Sequence, residues 1–276
     1  MTLPTALSSL QPVCDRGTAP ASVAVHLTLL TGSSRGMGLA MAEQLLAPDR
    51  LLVCMARHAS HTLAAQAADK GAGLAQWTLD LAQPEAAAAR LRSWLQAQGA
   101  GRFASATLVN NAGTIAPIAP LSHSDPAALA QALRVGLEAP LLLTAAFLGA
   151  TEAWGVPRKV LNISSGLGRR AMASQSAYCA AKAGMDHFTR CLALDEARKP
   201  QGARVCSLAP GVIDTDMQAQ LRNTGAAQFP DQHNFAQLKA SGQLTSPADA
   251  AARVLAWLER ADFGAAPVAD VRDAQA

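Results

Sequence analysis

The chain has 276 residues, half of them apolar, with 23 basic and 20 acidic side chains giving a formal net charge of +3. That length suffices for one sizeable α/β domain and requires no second. With no block of like charge and only 4% aromatic residues, the composition argues against a nucleic-acid surface. Five cysteines at irregular spacing argue for free thiols in a reducing, cytoplasmic setting rather than a disulfide framework.

Residues 1 to 22 carry Pro4, Pro12, Gly17 and Pro20 and lack the basic start and continuous apolar core of a secretion signal. They read as a disordered extension or a start codon placed too early, with the domain expected over residues 23 to 276. No apolar run is read as approaching the roughly 20 residues of a membrane span. Strand signals fall at residues 25–31, 51–56, 74–79, 106–109, 159–163, 203–208 and, weakly, 266–269. Helix signals fall between them, notably at 37–47, 84–98, 126–149, 175–199 and 247–261. Ser246-Pro247-Ala248-Asp249 is a well-formed helix start: a capping serine, proline at the first helical position and an acid in the first turn. Such alternation predicts an α/β fold, a single-domain Rossmann-type doubly wound parallel sheet with helices on both faces. Ligands of such a sheet bind beyond the carboxyl ends of its strands.

Four segments after predicted strands carry chemistry. Thr31-Gly32-Ser33-Ser34-Arg35-Gly36-Met37-Gly38 links a strand to a helix through a glycine-rich turn. Backbone N–H groups and the positive end of the helix dipole there suit a phosphate. Leu108-Val109-Asn110-Asn111-Ala112-Gly113 ends a strand in two amides and a small-residue turn, and Val160-Leu161-Asn162-Ile163-Ser164-Ser165-Gly166 runs a strand into two serines. Tyr178, the only tyrosine, precedes Lys182 by four residues, so hydroxyl and ammonium project from one helix face. A nearby ammonium favours the phenolate and is expected to lower the phenol pKa, making Tyr178 a proton donor or acceptor near neutral pH. Ser165 is placed to reach the same reacting oxygen. Cys54, His58 and His61 have no fourth ligand in view, so no metal site is expected.

These motifs, with the turn at Pro210-Gly211, resemble the short-chain dehydrogenase/reductase family over about residues 25 to 272. Within it, Tyr178-Cys179-Ala180, the run Leu208 to Gln218 and Phe235 to Leu244 are most similar to sepiapterin and benzil reductases. The resemblance implies an oxidoreductase that reduces a carbonyl by hydride transfer. Tyr178 would donate the proton, Ser165 would hold the carbonyl oxygen, and Lys182 would lower the tyrosine pKa and hold the nicotinamide ribose. The cofactor would lie against Gly32, Ser34, Arg35, Gly36, Met37 and Gly38, then Asp80 at the adenine, Asn110, Ala112 and Gly113, and Pro210, Ile213, Thr215 and Met217 at the nicotinamide end. Substrate would meet Ser165, Gly166, Tyr178 and Gly211.

Charge bears on the choice of cofactor. NAD sites usually place an acid after the second strand; here Arg57 follows it, with Arg35 in the glycine turn. Two guanidinium groups favour the 2′-phosphate of NADP, although either could be a solvated surface residue. The resemblance implies a substrate lid at residues 216 to 245, and their Gly, Asn, Gln and Pro content reads as a mobile loop with short helices. Asp270 either accepts paired N–H bonds from a pterin-like ring, as the resemblance implies, or is a surface carboxylate. One position departs from the family: Gly136 stands where many members carry an asparagine in a proton relay. It either marks a kink that frees a backbone carbonyl or leaves the relay impaired. The largely apolar helices at 126–149 and 175–199 correspond to the family's subunit interface, so a homodimer or homotetramer is expected. An NADPH-dependent reductase of a small diketone or pterin side chain is the expected function. The alternatives are an enzyme for another alcohol/ketone pair and a non-catalytic NADP-binding protein.

Overall fold

The computed structural model describes residues 24–273; the expected N-terminal extension lies outside the described residues. Seven parallel strands form one sheet. In chain order the elements are β1 (His26–Thr31), α1 (Gly36–Leu45), β2 (Arg50–Ala56), α2 (His61–Asp69), β3 (Gly73–Thr78), α3 (Pro84–Gln98) and β4 (Ser105–Asn110). They continue with α4 (Pro126–Leu133), α5 (Ala139–Thr151), β5 (Arg158–Ile163), α6 (Ser176–Ala197) and β6 (Arg204–Ala209). Last come α7 (Asp216–Asn223), α8 (Gln232–Ala240), α9 (Pro247–Glu259) and β7 (Val268–Asp270). The spatial order is β3-β2-β1-β4-β5-β6-β7. The chain therefore winds outward in one direction from β1 and in the other from β4, and a crevice opens where the two directions diverge.

Strand alternation divides the core. Leu30, Val109, Leu161 and Leu208 point to one face and meet Met41, Leu45, Val254 and Leu258 from α1 and α9. Leu29, Leu108, Val160 and Val205 point to the other and meet Leu91, Leu95, Leu143 and Phe147 from α3 and α5. Each fully buried leucine contributes about 1.5–3 kcal/mol of transfer free energy, so both helical layers are held chiefly by these alternating positions. Ser246 caps α9 by accepting from the Asp249 N–H at 3.1 Å, as the sequence predicts.

Two departures have local causes. The predicted helix over 126–149 is broken: α4 passes into a π-helical segment, Arg134–Glu138, before α5. Pro140 has no N–H to offer the carbonyl of Gly136, so the regular ladder cannot continue through this point. The stretch 126–154 is also long and apolar enough, by length and composition, to cross a membrane, which corrects the reading that no run approaches that length. In the fold half of its apolar window is buried, and α5 packs against α3.

The glycine turn is set by close packing. Gly32 (φ 71°) and Gly36 (φ 55°) take left-handed backbone that a side chain resists. Gly38 has no such angle, but a Cβ there would stand 2.0 Å from the Gly32 carbonyl oxygen and 2.5 Å from Asn111 Nδ2. Backbone on one side and a fixed amide on the other leave nothing to yield. Gly38→Ala is therefore expected to lower the Tm by about 2–12 °C in calorimetry, from an overpacking cost of about 1–3 kcal/mol. An unchanged Tm would show that the turn moves freely.

Candidate active site

All four chemistry-bearing segments open onto one cavity of about 690 Å³ along the carboxyl edge of the sheet. From the turn after β1 come Gly32, Ser34, Arg35, Gly36, Met37 and Gly38; Arg57 follows β2, and Asp80 follows β3. Ala112 and Gly113 follow β4, Ser165 and Gly166 follow β5, and Tyr178 and Lys182 enter from α6. Pro210, Gly211, Ile213, Thr215 and Met217 line it after β6, and Asp270 closes it from β7.

Asn110 is the exception. It is 1% exposed, and its amide donates to Asn162 Oδ1 at 2.8 Å and Thr144 Oγ1 at 3.1 Å, inside the layer between β4, β5 and α5. Its neighbour Asn111 lines the cavity instead, donating to the carbonyls of Thr31 (3.0 Å) and Gly32 (3.2 Å). Asn111, Ser164, Gln175, Arg170, Phe235 and Arg272, which the sequence motifs do not assign to the site, also line the cavity. The doubled Asn110-Asn111 and Ser164-Ser165 pairs were the available signals.

The dinucleotide end has the groups a nicotinamide cofactor needs. α1 has neither a side-chain cap nor an acid in its first turn, so its leading N–H groups stay available to an anion. The hydroxyl of Ser164 is buried with no partner among the described residues, and it lies on the same cavity wall. Arg57 is exposed, and the turn after β2 has no acid. Arg35 is a surface cation with a partner: its side chain, 68% exposed, donates to Asp216 Oδ2 at 2.8 Å at the start of α7.

At the reacting end Lys182 is buried and donates to the carbonyl of Ile163 at 2.6 Å. Its ammonium lies 5.7 Å from the ring centroid of Tyr178. Burial lowers the Lys182 pKa to about 8, with the Asp186 carboxylate opposing that shift. The expectation of a lowered tyrosine pKa is corrected in its net direction. Burial pushes the phenol of Tyr178 above its ordinary value, and the opposing influence comes from the Ser165 hydroxyl.

Gly136 lies within the π-helical segment, buried against α6. A Cβ there would stand 3.1 Å from Ala181 Cβ, next to Lys182 on α6. A contact this tight between two packed helices favours a small residue. Asp270 is not a surface carboxylate: its side chain is 7% exposed, and both oxygens are engaged by Arg272 at 2.7 and 2.6 Å. The resulting fork holds its carboxyl below the usual range.

A strand–glycine turn–helix cradle thus faces a serine, a tyrosine and a lysine across one cavity. The short chain dehydrogenase family matches residues 26–226. The chain belongs to the short-chain dehydrogenase/reductase family. It is 33% identical to a benzil reductase ((S)-benzoin forming) of Bacillus cereus over 239 residues, 87% of this chain and 96% of that one. It is 32% identical to the sepiapterin reductase of Meriones unguiculatus over 258 residues, 89% and 95% of the two chains. Among solved structures, a short-chain dehydrogenase/reductase from Burkholderia vietnamiensis superposes with a TM-score of 0.61 at 35% identity, covering 90% and 97%. The chain is thus an oxidoreductase whose fold binds a nicotinamide cofactor.

Because Tyr178 is the only tyrosine, ultraviolet absorbance of the phenolate reports on it alone. In the cofactor-free protein a single transition with its midpoint above pH 10 is expected, since burial disfavours the charged form. A midpoint at or below 10 would contradict this electrostatic account.

Proposed function

We propose that this protein is an NADPH-dependent carbonyl reductase acting on a small diketone. The observation that carries the reading is the convergence of Ser165, Tyr178 and Lys182 on one cavity with the glycine turn. When bound, NADPH supplies the hydride. Tyr178 gives its phenolic proton to the carbonyl oxygen, and Ser165 donates a hydrogen bond to that oxygen as negative charge develops on it. Lys182 holds the nicotinamide ribose and, as the phenolate forms, stabilises it. Gly32 to Gly38, Asp80, Asn111, Ala112 and Gly113 receive the dinucleotide, and Pro210, Ile213, Thr215 and Met217 border its nicotinamide end. Arg57, facing the cavity with no acid beside it, supports NADP over NAD.

The diketone is favoured over a pterin by the state of Asp270. A pterin ring would have to displace two charge-assisted bonds from Arg272 before Asp270 accepted its N–H groups. Assembly as a homodimer or homotetramer rests on the family resemblance alone.

Oxidation of NADPH followed by absorbance, with benzil as substrate, tests the reading. Turnover is expected, and Tyr178→Phe should reduce kcat by about 100- to 10,000-fold while leaving NADPH binding intact. Undiminished turnover in that variant would refute the role of Tyr178. Arg57→Ala should weaken NADPH binding about tenfold or more and leave NADH binding unchanged, the loss of one charge-assisted contact. Equal weakening of both cofactors would remove the case for the 2′-phosphate.

A further inference from the structure

The proposed mechanism makes no use of Asp186, the carboxylate one helical turn beyond Lys182. Tyr178, Lys182 and Asp186 stand at i, i+4 and i+8 and share one face of α6. Asp186 is 1% exposed. A carboxylate so deeply buried is strongly unfavourable unless opposite charge and hydrogen bonds compensate it. The Ser207 hydroxyl of β6 donates to its Oδ1 at 2.7 Å, and Arg169 Nε, from the turn after Ser165, lies 3.3 Å from Oδ2. That turn is held close as well: a Cβ on Gly168 would stand 2.8 Å from Asp186 Oδ2. Arg169 also donates to the carbonyl of Ala269 at 3.0 Å, next to Asp270.

Lys182 poses the converse problem. Its buried ammonium donates to one backbone carbonyl, and the ionised group acting on it is Asp186. The groups facing Lys182 are Tyr178 and Asp186 from its own helix and the Ile163 carbonyl from β5. Those facing Asp186 are Arg169 from the turn and Ser207 and Cys206 from β6, with Asp270 of β7 beyond Arg169.

We propose that Asp186 is a positioning residue of the site: its buried carboxylate is the counter-charge that keeps Lys182 ionised beneath Tyr178, and Arg169 competes for it. The carboxylate also joins α6 to the turn that carries Ser165, so one group sets both the charge of the lysine and the register of serine against tyrosine. Its part in turnover rests on the carbonyl-reductase reading. The charge coupling does not.

The test is a lysine titration in the cofactor-free protein labelled with carbon-13 at lysine Cε. The chain has five lysines, and the Lys182 signal is assigned by its loss in Lys182→Arg. Wild-type Lys182 should titrate near 8. Asp186→Asn keeps the size and an acceptor for Ser207 but removes the charge, and should lower the midpoint by about one pH unit or more. Arg169→Gln, a change at an exposed side chain, leaves the carboxylate to Lys182 and should raise it. A purely structural role for Asp186 would not send the two variants in opposite directions. No downward shift in Asp186→Asn, or both variants moving the same way, overturns the proposal. Should Asp186→Asn fail to fold, Arg169→Gln decides alone: an upward shift supports the proposal, and an unchanged or lowered midpoint overturns it. Because no substrate enters the measurement, failure here is distinct from failure of the reductase reading, which the benzil assay reports.

Discussion

The hydroxyl of Thr31 joins the two halves of the molecule where they would otherwise part. β1 and β4 are neighbours whose chains leave the sheet in opposite directions, and this divergence creates the crevice. Thr31 Oγ1 accepts from the N–H of Asn111 at 2.9 Å and of Ala112 at 3.0 Å. Asn111 returns its amide to the carbonyls of Thr31 and Gly32. A Cβ on Gly32 would stand 2.8 Å from Ala112 Cα. The glycine turn and the turn after β4 are thus one packed object. The missing side chains of Gly32 and Gly38 serve this packing first, and the shape of the cradle follows from it.

From that fixed crevice the other groups are placed by strand length and parity. β4, β5 and β6 run in register, Asn110 beside Asn162 and Asn162 beside Ser207, so their carboxyl ends finish level. Ser165 leaves β5 at that level. α6 returns beneath it, and the buried chain from Asn110 through Asn162 to Thr189 binds the helix to the strands by hydrogen bonds of 2.8 and 2.9 Å. The amides of Asn110 and Asn162 both find acceptors, while Asn110 Oδ1 has no partner among the described residues. The chain of bonds fixes which face of α6 meets the cavity.

Much of this was legible because the signals are local. Strand runs, glycine turns and the i, i+4 pair on α6 are properties of short segments, and the strand order follows from winding rules. Asn110 shows what more could have been read. It is two residues after Leu108, so it shares that residue's face and turns toward α5, while Asn111 leaves the strand and is free to face the crevice. The break before α5 was likewise written in Pro140, whose missing N–H falls four residues after Gly136. What sequence could not supply is pairing at a distance. Nothing local joins Arg35 to Asp216 across 181 positions, or brings Ala181 against Gly136. Asp270 and Arg272 are only two residues apart, yet their fork depends on a chain reversal after β7 that residue types do not dictate.

The electrostatics of Tyr178 and Lys182 bear on how the proposed reduction would gain speed. A phenol whose pKa is raised by burial is a reluctant acid, while a lysine near 8 sheds its charge more readily than a free lysine and is still mostly charged at neutral pH. Desolvation dominates the phenol's pKa, so it keeps its proton in the resting site, and the ammonium's hydrogen bond goes to the Ile163 carbonyl. Interaction with the ammonium then grows as the proton leaves and the phenolate forms, which makes it stronger in the transition state than in the ground state. Only interactions of that kind accelerate a chemical step. The arrangement requires that Lys182 stay charged within a buried layer, and the carboxylate a turn further along α6 opposes the loss of that charge. Burial therefore acts twice on the same helix face: it withholds the proton on Tyr178 until a carbonyl oxygen can take it, and it makes the charge on Lys182 depend on a buried partner.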